Sequence, residues 1–277
     1  MNRIKCVSHE AIKCRVLIFF ILAGLLVALS IVAPSLAPND PYKTNSEFMK
    51  VAPNSQFPFG TDRYGRCVLS RVLMGARMSV LSSLALVAVS FIVGTTLGTL
   101  CGYYGGVLDE IVMRIADVLL AFPQMVLAIA VAGILGGGLF NAMLALGITS
   151  WTLYARLSRS LVMEMKEEPF IAAARFSGCG SVSIMFRHIL PNVVGPLLVN
   201  AATQIGTMMI GVAGLSFLGI GVTPPSAEWG SMINEARTYV RLAPWTVLAP
   251  SGAMVFTVMV FNYLGDSVRD MMDVSKL

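Results

Sequence analysis

Residues 164–196 read EMKEEPFIAAARFSGCGSVSIMFRHILPNVVGP, and they decide the fold because the chain on either side of them is largely apolar. The stretch carries too many charges to sit in lipid. Phe170 to Phe176 favours a helix, Gly178 and Gly180 can end it, and a second short amphipathic piece leads to Pro191. The pattern predicts two short helices lying on one face of a membrane, between hydrophobic spans.

Outward from this loop the composition agrees. Of 277 residues, 56% are hydrophobic and 13% charged, against roughly 45–50% and about 25% in soluble domains. Spans of the length an α-helix needs to cross a bilayer are expected at about 16–33, 78–103, 111–135, 139–157, 193–218 and 245–264. The fold class is therefore all-α integral membrane protein with about six transmembrane helices. The first run has the order of regions of a signal peptide, but it exceeds a usual signal core, and an even number of spans needs it as a retained helix ended by Pro34.

Basic residues set the orientation. Arg3, Lys5, Lys13 and Arg15 precede the first span, and Arg156, Arg159, Lys166, Arg175 and Arg187 fall around the loop between spans four and five. By the positive-inside rule both are cytoplasmic. The expected organisation is a cytoplasmic N-terminus (1–15), a first span (16–33), an extracytoplasmic segment (34–77), a five-helix core (78–265) holding a cytoplasmic loop (164–192), and a cytoplasmic C-terminus (266–277). The segment 34–77 carries six basic residues against the rule. Its length weakens the rule, and its Pro, Asn and Asp content suits a folded external segment.

The net charge of +5 belongs to this asymmetry and not to nucleic-acid binding. Cys6, Cys14, Cys67, Cys101 and Cys179 show no CxxC spacing, and only Cys67 faces the oxidising side, so no disulfide is expected.

Three helical patterns carry expectations. Ser90, Gly94, Gly98 and Gly102 stand four apart, a nearly flat face that lets a neighbouring backbone approach. Arg114 and Asp117, at i and i+3, are expected to neutralise each other. Asn200, Gln204, Thr207 and Gly211 share a face of span five, with Met208 beside them mid-membrane. Amides in hydrocarbon face a partner or a cavity, so this face lines a solute pathway or bonds to a neighbouring helix.

The run Ala173-Ala174, Gly178 and Leu190-Pro191 resembles the cytoplasmic EAA loop of ABC importer permeases. Further matches resemble the dipeptide, oligopeptide and nickel permease family, in its C-type subunit: Gly60-Thr61-Asp62, Gly65-Arg66, Ser70-Arg71, Gly75, Met113-Arg114 with Asp117 and Phe122-Pro123, Tyr154-Ala155-Arg156, Arg187 through Asn192, Leu215 through Gly219, Trp229-Gly230, and Gly265-Asp266 with Arg269-Asp270. Ala172 stands in place of the usual loop glutamate, and Cys67 where an aspartate commonly follows Gly-Arg. The stretches Arg175 to Gly178 and Val212-Ala213-Gly214 through Arg237 are similar to nickel-type permeases.

The resemblance implies a type I ABC importer permease fold and half of a translocation pathway, for chelated nickel or, alternatively, for dipeptides and oligopeptides. It implies an inner-membrane heterodimer with a homologous permease, two ATP-binding subunits holding ATP and Mg, and an extracytoplasmic solute-binding protein. The loop, with Phe170, Ala173, Ala174, Arg175, Gly178, His188, Leu190 and Pro191, would dock on the ATPase, with Gly178 as bend and Phe170 as apolar knob. Ordinary capping and self-packing are the alternative for both.

The chain has no GxxxxGK[ST] phosphate loop, so no catalytic residue and no cofactor is expected on it. Nickel prefers imidazole or thiolate ligands, yet His9 and His188 fall outside every span, so no metal site is expected, and methionine is read as packing. A gradient-driven secondary transporter would show paired ionisable groups at the midplane and interrupted helices; neither pattern is visible in the sequence.

Overall fold

A computed structural model describes the backbone of residues 2–274 and the side-chain surroundings of residues 12–272. The expected cytoplasmic ends, 1–15 and 266–277, lie partly outside the described residues, as do the side chains of Cys6 and His9. Helices dominate the described chain: α1 (Asn2–Leu36), α2 (Val68–Tyr104), α3 (Gly106–Leu120), α4 (Gln124–Ile134), α5 (Leu139–Lys166), α6 (Pro169–Phe176), α7 (Ser181–Ile184), α8 (Leu190–Phe217), α9 (Trp229–Ala236) and α10 (Trp245–Val274).

By length and composition four helical stretches can cross a membrane: Ile12–Leu36, Val68–Tyr104, Ser181–Phe217 and Trp245–Met272; α3 and α4 together make a fifth, bent one. Helix α5, 28 residues long, is not apolar enough to qualify alone. Its Thr149, Ser150, Thr152 and Ser158 are buried on the side that packs against α2, α4 and α8, while Phe140, Leu144 and Ile148 remain exposed on the other. With α5 the bundle has the six expected long units.

Several expected extents change. The third expected span, 111–135, is not one helix: α3 and α4 meet at 91° across Ala121, Phe122 and Pro123. Pro123 has no N–H to donate and disfavours helical backbone at the residue before it. Helix α2 starts at Val68, so Arg71 and Arg77, assigned above to the external segment, belong to its first turns; Arg71 can be helical and buried because acidic partners meet its charge. Pro34 does not end α1 but sits in its last turn, and α10 continues past 264 to Val274.

The expected flat face of α2 meets α5. A Cβ at Gly94 would lie 2.3 Å from the Trp151 carbonyl oxygen, one at Gly98 2.2 Å from that of Ala155, and one at Gly102 2.8 Å from that of Arg159. Both series advance four residues at a time and in the same direction, so α2 and α5 run parallel with backbones in contact. Ser90 and Ser150 share a hydrogen bond of 2.6 Å, and Thr99 and Ser158 one of 3.0 Å. These tie the seam together, while the hydroxyls of Thr95 and Tyr154, buried beside it, have no hydrogen-bond partner among the described residues.

Helix α1 covers α10 and α2 from outside. The Phe19 and Tyr263 rings stack with centroids 5.3 Å apart, and Arg15 pairs with Asp270 at the same end. The start of α1 and the end of α10 therefore lie on one side, the side that carries the 164–192 loop.

Candidate functional site

The loop after α5 turns within two residues. Lys166 ends α5, with its ammonium 5.9 Å from the centroid of the Tyr103 ring, and Pro169 opens α6, where a missing N–H costs nothing. Ile171 is fully buried against Tyr103, Val162, Ile184 and Ile189, and Ala174, one turn on, packs on the same cluster. This inner edge fixes α6 to the bundle. Its outer edge bears Phe170, Ala173 and Phe176 at i, i+3 and i+6; Phe170 is 43% exposed and Phe176 93%. Arg175, Arg187 and the carboxylates Glu167 and Glu168 are exposed around it.

Gly178 closes α6. Its φ is +83°; Cys179 N–H donates to the Ala174 carbonyl at 3.1 Å and Gly178 N–H to that of Arg175 at 3.0 Å. This is the double bond pattern of a Schellman cap, which needs a left-handed residue at the glycine position. Gly180, at φ −70°, has no such constraint.

The second expected short helix is not separate. α7 runs through one π turn, Met185–Ile189, straight into α8. Pro191 cannot donate to Arg187, and the widened turn absorbs that loss: Leu190 N–H reaches back to Met185, and Asn192 Nδ2 donates to the His188 carbonyl at 2.5 Å. Of the predicted loop residues, Phe170, Ala173, Arg175, Gly178 and Pro191 are exposed, while Ala174, His188 and Leu190 are half-buried. Sequence reasoning missed Phe176 as the more exposed aromatic, although its spacing from Phe170 marks it.

The predicted pathway residues of α8 do not share one exposed face. Thr207 is exposed, Asn200 and Gln204 are half-buried, and Met208 and Gly211 are buried. Gly211 faces Leu146, 3.3 Å from where its Cβ would be, and Met208 belongs to the central apolar cluster. Asn200 Oδ1 is buried without a hydrogen-bond partner among the described residues.

At the far end of the bundle the chain has its own polar core. Arg66 Nε is 2.6 Å from Asp62 Oδ2, and its NH2 is 2.7 Å from Glu235 Oε2. Arg71 reaches the same two carboxylates at 3.7 and 3.4 Å and is 1% exposed. Glu228, fully buried, accepts from Gly230 N, Ser231 N and Ser79 Oγ at 2.9, 2.9 and 3.0 Å, capping α9. Trp229 Nε1 donates to the Val72 carbonyl at 3.0 Å, and a Cβ at Gly75 would lie 2.8 Å from the Trp229 ring. Gly75, Arg66 and Arg71 thus dock α9 at the start of α2, while Gly60 and Gly65 are needed for close contacts with Trp245 and Asn45. Desolvation raises the pKa of Tyr239 beside this core, and the nearby Asp62 charge adds to the rise. Sequence reasoning found the motif but not Glu235, its distant counter-charge.

The α3 charges pair differently from the expected i, i+3 contact. Arg114 NH2 binds Glu110 Oε1 at 2.7 Å, Asp109 Oδ2 accepts from Arg159 NH2 at 2.6 Å, and Asp117 pairs with Arg156. Arginines on α5 are better placed for the two aspartates than Arg114 is.

Residues 94–275 match the family model described as binding-protein-dependent transport system inner membrane component. A dipeptide transport system permease protein, DppC of Alkalihalophilus pseudofirmus, is 40% identical over 89% of this chain and 81% of its own length. A glutathione transport system permease protein, GsiD of Pectobacterium atrosepticum, is 43% identical over 90% of this chain and 83% of its own. The nickel transport system permease protein NikC of Escherichia coli K12 is 38% identical over 91% of both. The fold is similar to a chain of the MetNI methionine ABC transporter in an inward-facing conformation, with TM-score 0.53 and 21% identity over 71% of this chain and 94% of that one. Family model, relatives, fold and membrane helices agree: the chain belongs to the binding-protein-dependent transport system inner membrane components, as an ABC importer permease of the peptide, glutathione and nickel group.

Proposed function

We propose that this chain pairs with a homologous permease, and that α6 is the surface on which an ATP-binding subunit docks. The carrying observation is the construction of α6: one edge anchored by Ile171, the other presenting Phe170 and Phe176 outward, and only Glu167 and Glu168 between it and the membrane helix α5. Aromatic side chains exposed on a rigid, capped helix are what a partner groove recognises. ATP and Mg belong to two such subunits, a solute-binding protein meets the opposite end, and both termini are cytoplasmic. Closure of the ATPases would then move α6 and α5 together, biasing the bundle between two states.

The solute is either a nickel ion held in an organic chelate or a short peptide. Relatives named for dipeptide, glutathione and nickel transport lie between 38% and 43% identity, which supports these readings alike. For nickel, the chelate is favoured because no three His, Cys, Asp or Glu side chains stand together among the described residues. The test is ATP-dependent uptake by the copurified complex in proteoliposomes, offered a dipeptide, free Ni²⁺ and chelated Ni²⁺ in turn. Chelate or peptide uptake selects the solute; uptake of bare Ni²⁺ removes the chelate reading; uptake without ATP removes the importer.

A further inference from the structure

We infer that α3 is not half of a membrane crossing but a helix lying in the lipid interface at the coupling-loop end, with its apolar stripe in the membrane. The first observation is a mismatch of register. Asp109 and Asp117 are eight residues apart, about 12 Å along α3 at the usual rise. Their partners Arg159 and Arg156 are three apart, roughly 4.5 Å along α5. Two helices packed side by side would keep these spacings equal, so α3 runs across α5 instead of along it.

The second observation is the bend. α4 leaves α3 at 91°, so when α4 follows the bundle axis beside α5, α3 lies close to the membrane plane. The level is fixed as well: α3 begins one residue after α2 ends at Tyr104, and both its ties to α5 reach the last three turns of that helix, next to the 164–192 loop.

The third observation is what α3 shows to its surroundings. Ala116 is its one buried residue, whereas Val107, Ile111, Ile115 and Val118 are each 50–72% exposed at the 4-4-3 spacing of a single stripe. Asp109 lies on the opposite side with the buried Ala116, while Glu110, Arg114 and Asp117 flank one edge of the stripe, and all four charges are neutralised by ion pairs. An apolar stripe at interface level, between helices that enter the bilayer on both sides, has lipid as its occupant. The charge balance, with every acid paired, does not demand an anionic headgroup.

Spin labels at Val107→Cys, Ile111→Cys, Ile115→Cys and Val118→Cys, each in the assembled transporter with its native cysteines replaced by serine and reconstituted in phosphatidylcholine vesicles, test this by collision with oxygen and with a water-soluble chromium complex. The expected result is one shallow depth for all four positions, within about 5–10 Å of the headgroup boundary. A depth that increases steadily from 107 to 118, by about 16 Å in total at 1.5 Å per residue, would mean a transmembrane helix and overturn the inference. Low collision with both reagents would mean that protein, such as the second permease, covers the stripe, and also overturns it. Should a cysteine variant fail to assemble, Val118→Trp read by quenching with lipids brominated at graded depths gives the same decision. ATP-dependent uptake plays no part in the readout, so the outcome is independent of the solute.

Discussion

Gly98 of α2 and the backbone of Ala155 in α5 touch so closely that a single Cβ at position 98 would sit 2.2 Å from the Ala155 carbonyl oxygen. No side chain can yield there, because the obstacle is backbone. Gly98→Ala is expected to destabilise the complex by about 1–3 kcal/mol, the usual cost of overpacking. Gly252→Ala, on α10 with nothing within 4 Å, should be neutral or gain up to about 1 kcal/mol from the helix-interior preference for alanine. Thermal unfolding of the purified complex compares them, and equal midpoints would show that the seam does not confine α2.

The loop glycines separate in the same way. Gly178→Ala puts a Cβ on a residue at φ +83° and should cost about 1–2 kcal/mol, loosening the end of α6. Gly180→Ala, at φ −70° with open space around it, should be silent. Limited proteolysis of the loop in membranes reads the difference: faster cleavage at 175–180 in the first variant alone is the expected pattern.

Phe176 and Ile171 lie five residues apart and face opposite ways. Phe176→Ala should leave the melting of the chain within about 0.5 kcal/mol, as exposed positions do, but weaken ATPase docking by at least about 2 kcal/mol, roughly 30-fold in dissociation constant. Ile171→Ala should destabilise the loop itself by about 2–5 kcal/mol. If Phe176→Ala retained the ATPase as well as the natural chain, the outer edge of α6 would not be the docking edge.

The far-end charges make a neutral set of two cations and two anions. Glu235→Gln leaves Arg66 and Arg71 sharing Asp62 and should cost about 3–5 kcal/mol, the loss seen when a buried ion pair is broken on one side. Removing one charge of each sign, as in Glu235→Leu with Arg66→Met, should recover much of it. Yield of inserted protein after detergent extraction ranks the variants, and a double variant no better than Glu235→Gln would contradict the pairing.

How far the sequence reaches depends on distance along the chain. The four-residue repeat from Ser90 to Gly102 was readable because flatness is a property of one helix, and its partner needs only to be close. Gly178 was readable because a glycine after a helical run has a local geometric meaning. The pairing of Asp109 and Asp117 was not, because a helical template supplies Arg114 as the nearest cation, while Arg156 and Arg159 become near only once α3 crosses α5. The break at Pro123 was visible as a residue but was overridden by span length, since a mostly apolar run of 25 residues, 111–135, looks like one crossing until the bend is seen. The same holds for Arg66, whose counter-charge lies 169 positions on.

That separation has a consequence in time. A ribosome adds about 5–20 residues per second, so the 164 positions between Arg71 and Glu235 take about 8–33 seconds to make. Throughout that interval the two arginines around the start of α2 have a single nearby carboxylate, and this end of the nascent bundle carries a surplus positive charge. Glu228 waits for nothing comparable, because Ser79 is already made and the amides of Gly230 and Ser231 follow within three residues. α9 therefore arrives self-contained and delivers Glu235 as the last of the four charges, so a chain cut short before residue 235 would bear the mark of its incompleteness at the start of its own second helix.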